Sequence, residues 1–192
     1  MHCPKDKESE LESLKSLDQS MPSKSHCVEC EGQWISADDY ASWQGNTQEL
    51  VEPNFLAEDL INYSTSELDV KAGLCPECGS YLTRLRLYYT LKSSFYLERC
   101  GGCGGFWCDR GEWEILTKLN WHRQLPHLFS SKWQIQLREK QKLELERQMV
   151  IEKLGADLAQ QLFDLTKALE CHAQGSFAAN YLTRQLEKSK ES

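Results

Sequence analysis

Two closely spaced pairs of cysteines constrain the fold of this chain more than any other feature. Each pair is a C-x2-C sequence, Cys75 with Cys78 and Cys100 with Cys103, and 21 residues separate the pairs. A C-x2-C turn lets two thiolates reach one ion, and two such turns, or knuckles, complete a tetrahedron. The spacing predicts that these four cysteines hold one Zn²⁺. Iron is the alternative, because tetrahedral thiolate sets suit both metals.

The segment between the two pairs has the composition of a β-hairpin. Residues 81–91, YLTRLRLYYTL, are rich in aromatic and aliphatic side chains, and residues 95–99 return the chain to the second knuckle. A hairpin that joins two metal knuckles is a zinc ribbon. Because four cysteines fill every position around the metal, we expect a structural centre and not a catalytic one.

A second group of cysteines near the start of the sequence repeats this arrangement. Residues 26–34, HCVECEGQW, align without a gap with residues 99–107, RCGGCGGFW. The Cys-Pro dipeptide at 3–4 corresponds to the one at 75–76. Cys3 and Cys27 are 24 residues apart, and the corresponding Cys75 and Cys100 of the later group are 25 residues apart. The two hairpins are therefore expected to be nearly equal in length.

This repeat predicts a diverged second zinc ribbon over residues 1–45. Its predicted cysteine ligands are Cys3, Cys27 and Cys30. Asp6 stands where the later group has Cys78. A carboxylate is an accepted zinc ligand, so Asp6 is predicted to complete the site. The alternatives are His2, His26 or a site without metal.

The later cysteine group and the residues that follow it resemble a known family. The stretches CPECG at 75–79 and ERCGGCGGFWCDRGEWEIL at 98–116 are similar to the TFIIB-type zinc ribbon common in bacteria. The pattern of that family is roughly CPxCG, a hairpin and CxxCGGxWLDxGEL, and Cys108 departs from it. The resemblance implies a zinc ribbon followed by a short helix from about Gly111. It implies no activity, because a fold alone does not determine a function.

The residues after each group are typical of the start of a helix. Asp109 and Ser36 are the predicted N-caps, because their side-chain oxygens accept hydrogen bonds from N–H groups of a first turn. The helix dipole favours an acid at Glu112. Trp107 is predicted to cover the metal site, and Cys108 and Cys171 are predicted to be packed side chains.

Composition divides the chain into four segments. Residues 1–45 and 71–119 hold the two cysteine groups, and residues 46–70 form an acidic linker with one short helix at about 56–62. Residues 120–192 are predicted to be helical. The expected fold class is therefore α+β, with two small β-hairpin zinc ribbons, each followed by a short helix, and a C-terminal α-helical segment.

Two sets of apolar residues stand out in the C-terminal segment. The first is a stripe of leucines at helical spacing: Leu154, Leu158, Leu162, Leu165 and Leu169. It predicts a helical hairpin or an interface with a protein partner or a second copy, and the alternative is packing on the chain's own ribbons. Ser176 is expected to N-cap a final helix. The second set is Trp121, Phe129 and Trp133, which either pack on the later ribbon or form an exposed patch.

Charge and cysteine content restrict the function and the compartment. The formal net charge is −7, and residues 1–119 contain 20 acidic and 11 basic residues. Such an acidic region is a poor partner for a phosphate backbone. No apolar run approaches the roughly 20 residues of a membrane span, and the N-terminus lacks a secretory signal. Nine cysteines, seven of them in the two groups, then indicate metal binding in a reducing compartment, which we expect to be the cytoplasm.

These observations favour a non-enzymatic zinc-binding protein that acts as a protein-interaction or assembly module. The alternative is a nucleic-acid-binding transcriptional regulator that uses the second ribbon. In that alternative, arginines would meet phosphates and tyrosines would stack on bases. The residues concerned are Arg84, Arg86, Arg99, Arg110, Tyr81, Tyr88 and Tyr89. An enzyme is a weaker third possibility, because no catalytic constellation stands out.

Overall fold

The structure is a computed structural model that describes residues 1–15, 21–45, 54, 66–90 and 93–188. In these residues the strands are β1 (Leu11–Leu14), β2 (Lys24–Cys27), β3 (Gln33–Ile35), β4 (Leu82–Tyr88), β5 (Ser94–Cys100) and β6 (Phe106–Cys108). The α-helices are α1 (Ala37–Gly45), α2 (Glu112–Lys118), α3 (Leu125–Leu128), α4 (Ser131–Leu154), α5 (Ala156–Glu170) and α6 (Gly175–Lys188). Short 3-10 turns cover Glu67–Val70 and His122–Gln124. The chain divides into two compact units, residues 1–141 and 142–192.

All six strands belong to one antiparallel sheet with the order β1-β2-β3-β6-β5-β4. The pairs β1–β2 and β4–β5 are the two predicted hairpins. The third strand of each half, β3 or β6, leads into α1 or α2, which confirms a short helix after each hairpin. The α+β fold class is also confirmed. The pairing of β3 with β6 joins the two halves into one sheet, which the sequence did not indicate.

Two tryptophans and two glycines form the junction between β3 and β6. Trp34 stands directly opposite Trp107 in the register of these strands. A Cβ atom added to Gly32 would lie 2.1 Å from the ring of Trp107, and one added to Gly105 would lie 2.3 Å from the ring of Trp34. Each indole therefore packs on the glycine of the other half. Both indoles are fully buried, and any larger residue at the glycines would displace them.

The larger hydrophobic core lies between the sheet and the helices that follow it. Phe95, Leu97 and Phe106 contribute from the strands, and Ile115 and Leu116 from α2. The tryptophan-rich set also belongs here: Trp121 is fully buried, and Phe129 and Trp133 pack against the core. The predicted packing of these aromatic residues on the body of the protein is therefore confirmed.

A buried hydroxyl connects α1 with the segment after α2. The Oη atom of Tyr40 donates a hydrogen bond to the carbonyl of His122 at 2.9 Å and accepts one from the N–H of Leu125 at 3.1 Å. Burial raises the pKa of Tyr40, so that the phenol keeps the proton it donates. The helix after β3 is thus fixed to residues more than 80 positions further along the chain.

The two predicted N-caps have different outcomes. Ser36 is confirmed, because its Oγ atom accepts from the N–H of Asp39 at 3.0 Å. Asp109 as the N-cap is wrong, because its carboxylate accepts from the buried indole N–H of Trp107 at 2.8 Å. The helix begins after Gly111, at φ 80°, and Glu112 accepts from the N–H of Asp109. A buried indole N–H needs an acceptor, and this requirement takes the Asp109 side chain away from the helix.

The unit of residues 142–192 contains the end of α4 together with α5 and α6. Helices α5 and α6 contact each other, and Gly175 lies against the carbonyl of Leu169. The predicted helices are confirmed, but α6 begins at Gly175, so the N-cap at Ser176 is wrong. The helix predicted at about 56–62 lies outside the described residues. None of the described helices is long and apolar enough to cross a membrane.

We expect Gly105→Ala to lower the free energy of unfolding by about 1–3 kcal/mol, because the new methyl group would meet the Trp34 ring. Urea unfolding of the zinc-loaded protein, followed by tryptophan fluorescence, measures the change. Gly45→Ala is the matched control, since a Cβ there meets no described atom within 4 Å. Equal stability of the two variants would contradict the packing of the junction.

Candidate metal centres

The structure brings together the four cysteines of the later group, which we call the C-terminal centre. Their sulfur atoms all lie within 4.8 Å of one another. Cys75 and Cys103 are 3.5 Å apart at Sγ, and Cys78 and Cys100 are 3.4 Å apart. These separations far exceed a disulfide bond of about 2.0 Å. They are close to the edge of about 3.8 Å in a tetrahedron with metal–sulfur bonds of about 2.3 Å.

The turns around these cysteines have the geometry that metal knuckles need. Gly79 and Gly104 have φ angles of 72° and 83°, which glycine adopts without strain. Each donates its N–H to the carbonyl of the first cysteine of its knuckle, at 2.9 and 3.0 Å. The Ser80 hydroxyl, 3.4 Å from the sulfur of Cys78, is the main cause that lowers the pKa of this thiol to about 6. The thiolate is the form that binds metal.

Three of the four ligands predicted for the first cysteine group also come together, in what we call the N-terminal centre. Cys3, Cys27 and Cys30 lie within 4.8 Å of one another, with 3.5 Å between Cys3 and Cys30 at Sγ. The N–H groups of Lys5 and Asp6 donate to the Cys3 sulfur at 3.4 and 3.3 Å. The pKa of Cys3 is lowered to about 6, chiefly by the hydrogen bond with the Cys30 thiol and further by these N–H groups.

The carboxylate of Asp6 is not part of this group of thiols. Its oxygens accept from the N–H of Glu8 at 3.2 Å and from the hydroxyl of Ser9 at 2.6 Å. In the described part of the chain, the group of potential ligands at this centre contains neither Asp6 nor the alternatives His2 and His26. Three thiols are therefore the donor set that the structure assembles here.

A buried ion-pair network near both centres was not anticipated from the sequence. Lys5 lies beside the first knuckle, and its Nζ atom is 2.8 Å from Glu98 and 3.4 Å from Asp109. It also donates to the carbonyl of Lys71 at 2.5 Å. Arg84 lies 3.2 Å from Glu98 through Nε. Burial raises the pKa of Glu98 to about 7, and the nearby Lys5 opposes this shift.

Asp109 of this network also belongs to a group of three carboxylates that lie within 4.8 Å of one another, together with Asp69 and Glu112. All three are buried. Burial raises the pKa of Glu112 well above its usual range, and the negative charge of Asp109 adds to this shift. The sequence carries no signal for this group, because Asp69 precedes the other two by about 40 residues. Desolvation favours the protonated form of such carboxyls.

The two cysteines outside both centres differ. Cys108 is fully buried, which confirms its predicted packing, and burial raises the pKa of its thiol. Cys171 is exposed, so its predicted packing is wrong. It lies directly after α5, whose leucine stripe does not extend to it.

Cys100→Ser is expected to lower the bound zinc by one ion per chain, because the C-terminal centre would lose a buried thiolate ligand. Elemental analysis of the purified protein measures this change. Cys171→Ser, at an exposed cysteine outside the centres, is the control and is expected to leave the zinc content unchanged. An unchanged zinc content in Cys100→Ser would contradict the site.

Lys5→Met is expected to destabilise the protein by about 3–5 kcal/mol, since it leaves the buried carboxylates of Glu98 and Asp109 without this cation. Chemical unfolding of the zinc-loaded protein provides the measurement. Lys7→Met removes an exposed lysine two residues away and serves as the control. If both variants unfold at the same denaturant concentration, the network does not contribute as the structure indicates.

Comparison with known proteins agrees with the geometry of the C-terminal centre. Residues 74–118 match the family model of the TFIIB-type zinc ribbon, described as a transcription factor zinc-finger. Searches with the chain returned no matching curated protein and no matching solved structure. The matched segment contains all four cysteines of the C-terminal centre, the hairpin β4–β5, strand β6 and helix α2. This part of the chain is a zinc-ribbon domain with a four-thiolate, zinc-type site.

Proposed function

We propose that this protein is a non-enzymatic zinc-binding module that assembles through its C-terminal helices. Its sheet would be a pair of tandem zinc ribbons, the first of them diverged, that serve as a rigid body. The observation that carries the proposal is the apolar surface that α5 and α6 leave exposed. Zinc is the proposed metal at both centres, because thiolate sets on hairpin knuckles are typical of structural zinc.

The tandem character is supported by equivalent positions in the two halves of the sheet. Each half has the order strand, strand, strand, helix. Trp34 and Trp107 occupy matching positions in the sequence repeat, and so do Gly32 and Gly105. These residues pack on one another across the junction, so each half makes the same kind of contact with the other half. A structural role for the metal follows, because four cysteines leave no coordination position for a substrate at the C-terminal centre.

Seven large apolar side chains of α5 and α6 are between 39% and 65% exposed. They are Leu158, Leu162, Leu165, Phe177, Tyr181, Leu182 and Leu186. In α5 they are four and three residues apart, and in α6 they form two pairs with a spacing of four, so each helix has an apolar face. Helices of 14 and 15 residues are marginal alone in water. They gain stability when such a face is covered, which favours a partner on this surface.

The occupant that we propose for this surface is a second copy of the chain. The exposed half of a large apolar side chain has a surface area on the order of 100 Å², so the seven side chains expose roughly 700 Å² together. This is close to the contribution of about 800 Å² that each partner makes to a standard interface. Residues 142–192 contain 7 basic and 8 acidic residues, so two copies would not repel each other here.

The arginines that suggested nucleic-acid binding are engaged by residues of the chain itself. Arg84 is paired with Glu98, and Arg110 is paired with Glu31 at 3.5 Å. Arg99 lies 5.5 Å above the ring of Phe106. These contacts reduce the number of cations available to phosphates and favour the assembly function.

The tyrosines that suggested stacking on bases are also only partly available to a nucleic acid. Tyr89 is only 1% exposed and has no face on which a base could stack, whereas Tyr81 and Tyr88 are exposed. Arg86 lies 5.0 Å above the ring of Tyr88, so one of these faces is partly covered. A mobility-shift assay at about 50 mM salt tests the nucleic-acid alternative, because electrostatic binding is strong under that condition.

We expect the 192-residue chain to have the native mass of a dimer or a larger homo-oligomer. The double variant Phe177→Ser with Leu186→Ser is expected to weaken self-association at least tenfold, because it removes two of the most exposed members of the apolar face. Light scattering after size-exclusion chromatography measures the mass over a concentration series. Tyr81→Ser, which changes an exposed aromatic residue on the sheet unit, is the control. A monomer at all concentrations would contradict the proposal.

A further inference from the structure

We propose that the N-terminal centre binds its metal through three thiolates and keeps a fourth, solvent-facing position that accepts a small thiol. The inference rests on the zinc proposed for this centre and specifies what else that zinc binds. It assigns to the carboxylate of Asp6 a role outside the coordination sphere. The two centres of the protein then differ in kind, one closed and one open.

The closed C-terminal centre shows which corner of the tetrahedron faces solvent. Cys75 and Cys100 are buried, and Cys103 is half-buried. Cys78, the second cysteine of the first knuckle, is exposed. The solvent-facing corner of a ribbon of this type is therefore the one that the second cysteine of the first knuckle supplies.

The N-terminal centre has the same pattern of burial in its three thiols. Cys3 and Cys27 are buried, and Cys30 is half-buried, as in the equivalent cysteines of the other centre. The missing ligand corresponds to Cys78, because Asp6 occupies that sequence position. The corner without a thiol is consequently the exposed one, where a molecule from solution has access.

Asp6 contributes its backbone to this centre, and its carboxylate has other partners. Its N–H donates to the Cys3 sulfur at 3.3 Å, as a knuckle requires. Both carboxylate oxygens accept hydrogen bonds from the turn that follows, one from Glu8 and one from Ser9. The side chain of Lys5, the residue before Asp6, extends into the buried network with Glu98. Neither side chain occupies the fourth corner.

The chemistry of three thiolates favours a thiol as the fourth ligand. Soft sulfur donors already surround the metal, and a fourth sulfur reproduces the donor set of the other centre. Binding forms one metal–sulfur bond and breaks the bond to a water molecule. The incoming thiol releases its proton to solvent, because the metal binds the thiolate. No electron is transferred, so the step needs no oxidant or reductant.

The test uses the 192-residue chain with Co²⁺ in place of zinc at both centres, and 2-mercaptoethanol as the probe. Seven protein thiolates bind two metal ions before the probe is added. The thiolate-to-cobalt absorption per chain is therefore expected to rise by about one-seventh on saturation, from seven cobalt–sulfur bonds to eight. Native mass spectrometry is expected to show one bound probe molecule per chain.

Two variants at position 6 give the proposal its controls. Asp6→Cys supplies the fourth thiolate from the protein, so we expect the higher absorption without the probe and no further rise when it is added. Asp6→Asn keeps the backbone N–H and removes the carboxylate charge, and we expect it to leave the spectrum of the protein without probe unchanged. It should respond to the probe as the unaltered chain does.

Each other outcome overturns a defined part of the proposal. Two cobalt ions per chain with no response to the probe would show a closed N-terminal centre, while the two-centre function would stand. A changed cobalt spectrum in Asp6→Asn before the probe is added would make Asp6 a ligand and would also overturn the open position. One cobalt ion per chain would overturn the two-centre function itself and the inference that rests on it.

Discussion

The packing of two indoles on two glycines determines how the rest of the sheet is arranged. Trp34 and Trp107 face each other across β3 and β6, and each fills the space that the glycine of the other half leaves open. This contact replaces two exposed strand edges with one continuous ladder, which removes a common cause of aggregation in small sheets. It also places both metal centres beside one buried cluster that contains the two tryptophans.

The same junction makes the buried charges possible. Lys5 lies 93 residues before Glu98 in sequence and reaches it only because the two hairpins share a sheet. The backbone of Lys5 donates to the sulfur of Cys3, while its side chain extends into the later half. The order of the N-terminal centre and the neutralisation of the buried carboxylates in the later half therefore both depend on the short segment around Lys5. Loss of the Lys5 cation from its position would leave two buried carboxylates with fewer partners, at a cost of several kcal/mol.

The proposed functions place different tasks in different parts of the chain. The C-terminal centre has a full set of four thiols and would hold a ribbon rigid, and the N-terminal centre has three and would exchange a ligand. The apolar faces of α5 and α6 would bring two copies together. Each assignment follows from what a group of side chains leaves unsatisfied: a coordination position at one site and an apolar surface at the other.

The sequence by itself determined which cysteines gather at each centre, the two hairpins and the helices of the described residues. C-x2-C spacing, the composition of a hairpin and helical periodicity are local properties, so they can be read within about 30 residues. Local patterns failed where a buried group needed a distant partner, as at Asp109, which accepts from an indole instead of capping a helix. Only the tertiary structure decided that β3 pairs with β6, that Lys5 meets Glu98 and that the Asp6 carboxylate bonds to Ser9 outside the group of thiols. Strand pairing and ion pairing between remote residues depend on how buried surfaces fit together, and composition and spacing do not contain that information.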